Sequence, residues 1–136
     1  MQNDVPLPTP SPDSEPYWKG LREHRLLLQK CGHCGKLRHY PRPVCDACFS
    51  MSFEWIEASG RGTIHSWTQT HHAFLFAFRS DLPYFLVTVD LEEGVRMLAR
   101  LQTESAIKIG APVECRFEAP NAEWTFPFFV LREGSL

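Results

Sequence analysis

The chain has 136 residues, with 14 Lys and Arg against 16 Asp and Glu, 43% hydrophobic and 12% aromatic residues. A chain of this size forms one compact unit and buries roughly 70% of its unfolded surface, enough to hold a core without a web of disulfides. A net charge of -2 with no block of like charge withholds the long-range pull that supplies most nucleic-acid affinity. Residues 1–12 lack a basic head and an apolar run, and nowhere do about eighteen apolar residues follow one another, so neither a signal peptide nor a membrane span is expected. The expectation is a cytoplasmic protein.

Residues 1–16 hold Pro6, Pro8, Pro10, Pro12 and Pro16 among polar residues, a composition that cannot close a helix or offset its own ordering entropy. A disordered or polyproline-like tail is expected. Ser14 is a candidate helix cap, and Trp18, Leu21, Arg25 and Leu28 recur at helical steps, which predicts a short helix over about Pro16 to Arg25. The run Leu26-Leu27-Leu28 fits either its end or an extended entry to the next segment. Residues 30–50 carry Gly32, Gly35, Pro41 and Pro43, too many breakers for regular structure without an imposed constraint. After Ser52 the texture is that of strands. Alternation over residues 53–58, the turn Ser59-Gly60-Arg61-Gly62 and a second alternating run over 63–70 predict a hairpin. An aromatic loop or broken strand follows over 71–83, then strands at Tyr84 to Leu91, Val95 to Leu101, Val113 to Phe117 and Phe128 to Leu131, with a short apolar piece at Ile107 to Gly110. Five or six short strands without a long helix between them suggest a small barrel.

Four of the five cysteines form two close pairs, Cys31-x2-Cys34 and Cys45-x2-Cys48. In a reducing compartment this pattern reads as thiolate metal ligation rather than disulfide pairing. The two-residue spacing brings both sulfurs of a pair to one side of a tight turn, and four sulfurs complete a tetrahedral ion. With no open coordination position no water is activated, so the site is structural rather than hydrolytic. Zinc is favoured, while a tetrahedron of sulfurs also suits iron and leaves a redox centre as an alternative. His33 and His39 lie nearby, but the cysteines already fill the set.

Particular stretches then become recognisable: Tyr17-Trp18 opening a helix, residues 27–31 entering the first pair, Pro41-Arg42-Pro43 before the second, residues 55–64 after it, and further on Pro83-Tyr84, residues 89–94 and 109–113. The chain beyond its first 15 or so residues resembles the acyl-CoA-associated proteins that join a rubredoxin-like zinc ribbon to an OB-fold, a family long catalogued as a domain of unknown function. The resemblance implies a mainly β fold: a tail over 1–15, an N-terminal helical segment over 16–30, a zinc ribbon over 31–50 and a five-stranded OB-fold barrel over 51–136. It places structural Zn2+ on Cys31, Cys34, Cys45 and Cys48. It also implies a thiolase-like or related acyl-CoA enzyme as partner, with acyl-CoA as a candidate ligand and no catalytic residue of the chain's own.

Other candidates carry less. Trp67, Phe74, Phe76, Phe78, Tyr84 and Phe85 are numerous enough to raise an OB-fold binder of single-stranded nucleic acid, but the basic track such binding needs is missing, and core or partner contact is the better reading. Arg22, Arg25, Lys30, Lys36, Arg38 and Arg42 read as a solvated face, with the phosphates of CoA as the functional alternative. No nucleophile turn or glycine-rich phosphate loop accompanies His71-His72 in the sequence, and they read as loop residues. Cys115 alternates with Val113 and Phe117 as a buried small hydrophobe does. Trp124, Phe126, Phe128 and Phe129 leave a surplus of apolar surface that marks an interface. The expected function is a non-catalytic accessory subunit that scaffolds an acyl-CoA enzyme, with the nucleic-acid binder as the alternative.

Overall fold

The computed structural model describes residues 7–73 and 75–132. The first helix, α1 (Glu15–Arg22), opens with Pro16 in its first turn, where a missing N–H costs nothing. Ser14 precedes it without capping it: its hydroxyl oxygen accepts the Ser11 N–H at 3.0 Å. The helix stops three residues before the expected Arg25. The N–H groups of Glu23 and Arg25 fold back onto the Gly20 carbonyl and that of His24 onto Leu21, at 2.8 to 2.9 Å, and His24 turns left-handed at φ 60°. This reversal lays the Leu27 side chain against Gly20, where any Cβ would meet it at 2.8 Å. The leucine run is thus the start of a strand. Residues 1–6 of the expected tail and Phe74 lie outside the described residues.

Two sheets follow. The first has the order β2-β1-β3, with β1 (Leu27–Cys31) between β2 (Leu37–Arg38) and β3 (Phe53–Glu57). The expected hairpin of 53–58 with 63–70 does not form. Residues Phe53 to Glu57 pair antiparallel with β1 instead, Leu27 opposite Glu57 and Cys31 opposite Phe53. Alternation fixes which face of a strand is apolar and leaves its neighbour open, and here Ser59 and Gly60 carry the chain out of one sheet into the next rather than back along it.

The second sheet closes on itself in the order β4-β5-β6-β8-β7. Its strands are β4 (Arg61–Thr70), β5 (Tyr84–Leu91), β6 (Arg96–Gln102), β7 (Pro112–Glu118) and β8 (Phe126–Leu131). Three residues of β4 pair with β7 to shut the barrel, and β6 and β8 run parallel. Closure removes the unpaired edges that an open five-stranded sheet would expose. Residues 107–110 form no strand; Gly110 turns there at φ 88° and its N–H reaches the Ile64 carbonyl at 2.8 Å. The aromatic segment before β5 is a loop containing a 3-10 turn, Phe76–Asp81. Alternate side chains of the five strands fill the interior: Ile64, Val87, Val89, Leu91, Met97, Leu101, Val113 and Phe129 are all buried.

Helix α1 ties the two sheets together. The Trp18 ring stands edge-on to Trp124 at 5.6 Å and to Phe126 at 6.2 Å, and Arg22 Nη1 donates to the Glu123 carbonyl at 3.4 Å. The apolar surplus expected to mark an interface is therefore largely covered from within the chain. Phe129 is core, and Trp124 and Phe126 are half-buried under the helix. A second tie runs from the ribbon, where the Tyr40 hydroxyl accepts the Leu98 N–H of β6 at 3.2 Å.

Candidate metal centre

Each cysteine pair lies on a turn of the same construction. Cys31 ends β1, and the chain doubles back so that its N–H reaches the Lys36 carbonyl at 2.9 Å. Cys45 repeats this with the Ser50 carbonyl at 3.0 Å. Inside the turns, amides point at sulfur: the N–H groups of His33 and Cys34 lie 3.4 Å from Cys31 Sγ, and that of Ala47 lies 3.4 Å from Cys45 Sγ. The sulfurs of the two turns meet, Cys31 with Cys48 at 3.5 Å and Cys34 with Cys45 at 3.7 Å. All four lie within 4.8 Å of one another.

That spacing tests the ion. Bonds of about 2.3 Å from one tetrahedral centre set its sulfurs ~3.8 Å apart; the separations of 3.5 and 3.7 Å between the turns fall just inside that value, and no pair of the four sulfurs exceeds 4.8 Å. Electrostatics points the same way. The amides of Cys34 and His33 pull the Cys31 thiol down to about 6, and those of Ala47 and Cys48 lower Cys45. The Ser50 amide also pulls on Cys48, yet burial and the three neighbouring sulfurs push it up to about 11. Four thiols this close cannot all ionise unaided; a divalent cation removes the conflict. The donor set therefore fits zinc, with every coordination position taken by the chain.

His33 and His39 stay outside the cluster. His33 is exposed and contributes only its backbone N–H. The His39 ring packs against Tyr17 at 5.3 Å and Tyr40 at 4.0 Å, and burial pushes its imidazole down to about 4. The basic residues do not form one anion-binding face. Arg25 pairs with Glu57 at 3.1 Å and Glu23 at 3.4 Å, and Lys36 with Asp46 at 3.0 Å. Arg22 serves the β7–β8 loop, and Arg38 is buried.

Arg38, read as solvated, is one of two structural residues that sequence patterns missed. Its Nε donates to Gln29 Oε1 at 2.7 Å across the β1–β2 pair, and its Nη2 donates to the Arg42 carbonyl at 3.1 Å. Gln29 Oε1 also accepts the Arg42 N–H at 2.9 Å. Together they pin the segment that leads into the second cysteine pair. His71 and His72 lie on the exposed loop after β4. Cys115 is half-buried in β7, and burial pushes its thiol up to about 12, the behaviour of an inert small side chain.

Comparison with known proteins follows the same division. The family description "ChsH2, rubredoxin-like zinc ribbon domain" matches residues 18–54, and "ChsH2, C-terminal OB-fold domain" matches residues 55–118. A DUF35 domain-containing scaffold protein of Pyrococcus furiosus is 38% identical over 101 residues, which cover 72% of this chain and 73% of the relative. The chain belongs to the DUF35 family. Among other relatives of this DUF35 chain, a probable enoyl-CoA hydratase alpha subunit of Thermomonospora curvata is 33% identical over 91% of the chain. The match spans only 39% of that subunit. The benzoylsuccinyl-CoA thiolase subunit BbsA of Geobacter metallireducens is 31% identical over 72% of the chain and 59% of its own length. In three dimensions the DUF35 chain superposes on a chain of the Ltp2-ChsH2(DUF35) aldolase with a TM-score of 0.83 at 32% identity, covering 92% of this chain and 98% of that one. The ribbon-plus-barrel fold and the family expected from the sequence are thus both found.

Proposed function

We propose that this DUF35 chain is a zinc-stabilised accessory subunit of an acyl-CoA enzyme, holding a thiolase-like or related partner rather than performing chemistry itself. The observation that carries this reading is the closed set of four thiolates on Cys31, Cys34, Cys45 and Cys48. An ion held there has no position for water or substrate, so it orders the ribbon and leaves the reaction to another chain. The names of relatives support the same role, since they are scaffold proteins or subunits of hydratase and thiolase complexes. Acyl-CoA is then the partner's substrate, and this chain's contribution is to order the surface beside it.

The competing nucleic-acid reading loses ground on geometry. OB-folds grip strands with the loops between their first and second and between their fourth and fifth barrel strands. Here the second of these is held by α1 through Trp18 and Trp124. In the first, Arg79 lies 3.6 Å over the Phe76 ring, and Arg100 is taken by Asp81 at 3.1 Å and by the Tyr84 ring at 4.1 Å. Trp67 is edge-on to Phe85 at 5.9 Å. The test is affinity purification of the tagged chain from its host, with metal analysis and identification of what accompanies it. An acyl-CoA enzyme that turns over only in the complex, with one zinc per chain, is the expected outcome. Turnover of an acyl-CoA by the purified chain alone, recovery of nucleic acid without such an enzyme, or iron in the cluster would overturn the proposal.

A further inference from the structure

The two metal turns match almost bond for bond, and that exposes one residue that does not fit. In the first, the Gly35 N–H donates to the Cys31 carbonyl at 3.1 Å; in the second, the Phe49 N–H donates to the Cys45 carbonyl at 2.9 Å. The shared geometry forces the residue after each pair into the left-handed region, Gly35 at φ 78° and Phe49 at φ 64°. Glycine adopts that conformation freely, whereas a bulky side chain is strained in it. Packing does not compensate Phe49. Its side chain is 76% exposed and has no ring contact among the described residues. Met51 is 72% exposed and Val44 is 37% exposed, next in the chain to Ser50 and Cys45, which one backbone hydrogen bond joins.

A second observation lies three residues before Cys45. The Arg42 backbone is clamped at both its N–H and its carbonyl by Gln29 and Arg38, which are 0% and 5% exposed. Its guanidinium is exposed; among the described residues it makes no hydrogen bond or close ion pair and is drawn only at longer range by Asp46. Asp46, the one carboxylate between residues 41 and 52, is already held through both oxygens by Lys36 at 3.0 Å. The turn therefore presents a strained, unpacked aromatic ring, and the segment leading into it presents an arginine with no close anion, both on immobilised backbone. Aromatic rings and arginines dominate binding hot spots, and fixing them before contact lowers the ordering cost of association.

We infer that the tip of the second metal turn, Phe49 with Val44 and Met51 and the preceding Arg42, is the anchor by which this chain grips its partner protein. The ring enters an apolar pocket on the partner, and a carboxylate on the pocket rim meets Arg42. A second copy of this chain docked tip to tip offers Arg42 no free carboxylate, since Lys36 holds Asp46. The identity of the occupant, the acyl-CoA enzyme subunit, rests on the accessory reading given above.

The experiment places a photo-crosslinking phenylalanine analogue at position 49 or, as a control, at Ile109, which is 64% exposed between β6 and β7. Full-length protein is irradiated in its host, and the linked peptides are identified. In parallel, Phe49→Gly and Phe49→Asn are compared with the wild type for affinity to the co-purified enzyme, for melting temperature and for zinc retention against a chelator. The expected result is a link from position 49 to the enzyme subunit and an affinity loss of roughly 30-fold or more, with no fall in melting temperature or zinc retention. Links from position 109 alone, links from position 49 to another copy of this chain, or unchanged affinity in Phe49→Gly would overturn the inference and leave the accessory reading standing. Loss of zinc or of melting temperature in both variants would make Phe49 a folding residue and equally overturn it. Failure of any acyl-CoA enzyme to accompany the wild type would remove the accessory reading, and this inference with it.

Discussion

The ribbon sheet of residues 27–57 and the barrel of residues 61–131 use the same strand chemistry and are held together by different means. Around β1 the buried side chains are few and mixed: Leu27 and Leu28 beside Cys31, Gln29 and Arg38. Apolar burial there is too small to order a segment with two tight cysteine turns, so cohesion rests on the Gln29–Arg38–Arg42 hydrogen bonds and on the ion that the four cysteines are proposed to hold. The barrel has the opposite interior, aliphatic residues of four strands closing on Phe129, which is 0% exposed. Each such side chain stabilises by about 1.5–3 kcal/mol when buried. One region should therefore answer to chelators and the other to cavities.

The largest effect separates them outright. Stripping the metal, or Cys45→Ser, is expected to unfold residues 27–57, since metal binding and local folding are one equilibrium. Amide exchange should then lose protection across the ribbon while Val87, Val89 and Met97 keep theirs; protection lost equally in both regions would show a single cooperative unit. Phe129→Ala attacks the other side. It should cost the barrel about 3–5 kcal/mol in denaturant unfolding with the zinc stoichiometry unchanged.

A pH dependence belongs to the seam between the regions. Burial holds the His39 imidazole near 4, below the ~6.5 of the unfolded chain. The folded state thus prefers neutral His39, so the stability this adds is complete above pH ~6.5 and declines as pH falls toward 4. The effect approaches ~2–3 kcal/mol at the acid end. His39→Phe should flatten the stability profile between pH 6.5 and 5, and an unaltered slope in that variant would assign the pH response elsewhere. The smallest effect tests the tie itself. Tyr40→Phe removes the acceptor of the Leu98 N–H and should cost about 0.5–1 kcal/mol, read as an earlier separation of ribbon and barrel unfolding.

What could be read from the sequence follows this division. The cysteine spacing located the two turns and the sulfur cluster they form, because four donors for one ion need few residues, all close in sequence. Tyr84 to Leu91 was legible to the residue, since Val87-Thr88-Val89-Asp90-Leu91 alternates and the turn at residues 92–94 ends it. The partner of Phe53–Glu57 was not, because a half-buried strand carries no mark of which neighbour it will meet. The cover that Trp18 gives to Trp124 and Phe126 was equally hidden, as was the burial of Arg38, for an arginine reads as solvated until a cross-strand glutamine is found beside it. Phe49 had a signal that went unused: aligning the two cysteine pairs sets it opposite Gly35.

The Arg22 contact with Glu123 spans 101 residues, and it sets an order of events during synthesis. The whole ribbon leaves the ribosome before β7 and β8 exist, so it can capture its ion and fold while the barrel is still open. The Trp18 ring of helix α1 has to wait for the β7–β8 loop to arrive. The helix's contacts with that loop therefore form only after β7 has been made. A truncated chain ending before residue 119 would carry a finished metal centre and an exposed tryptophan, a combination that quality-control proteases could recognise.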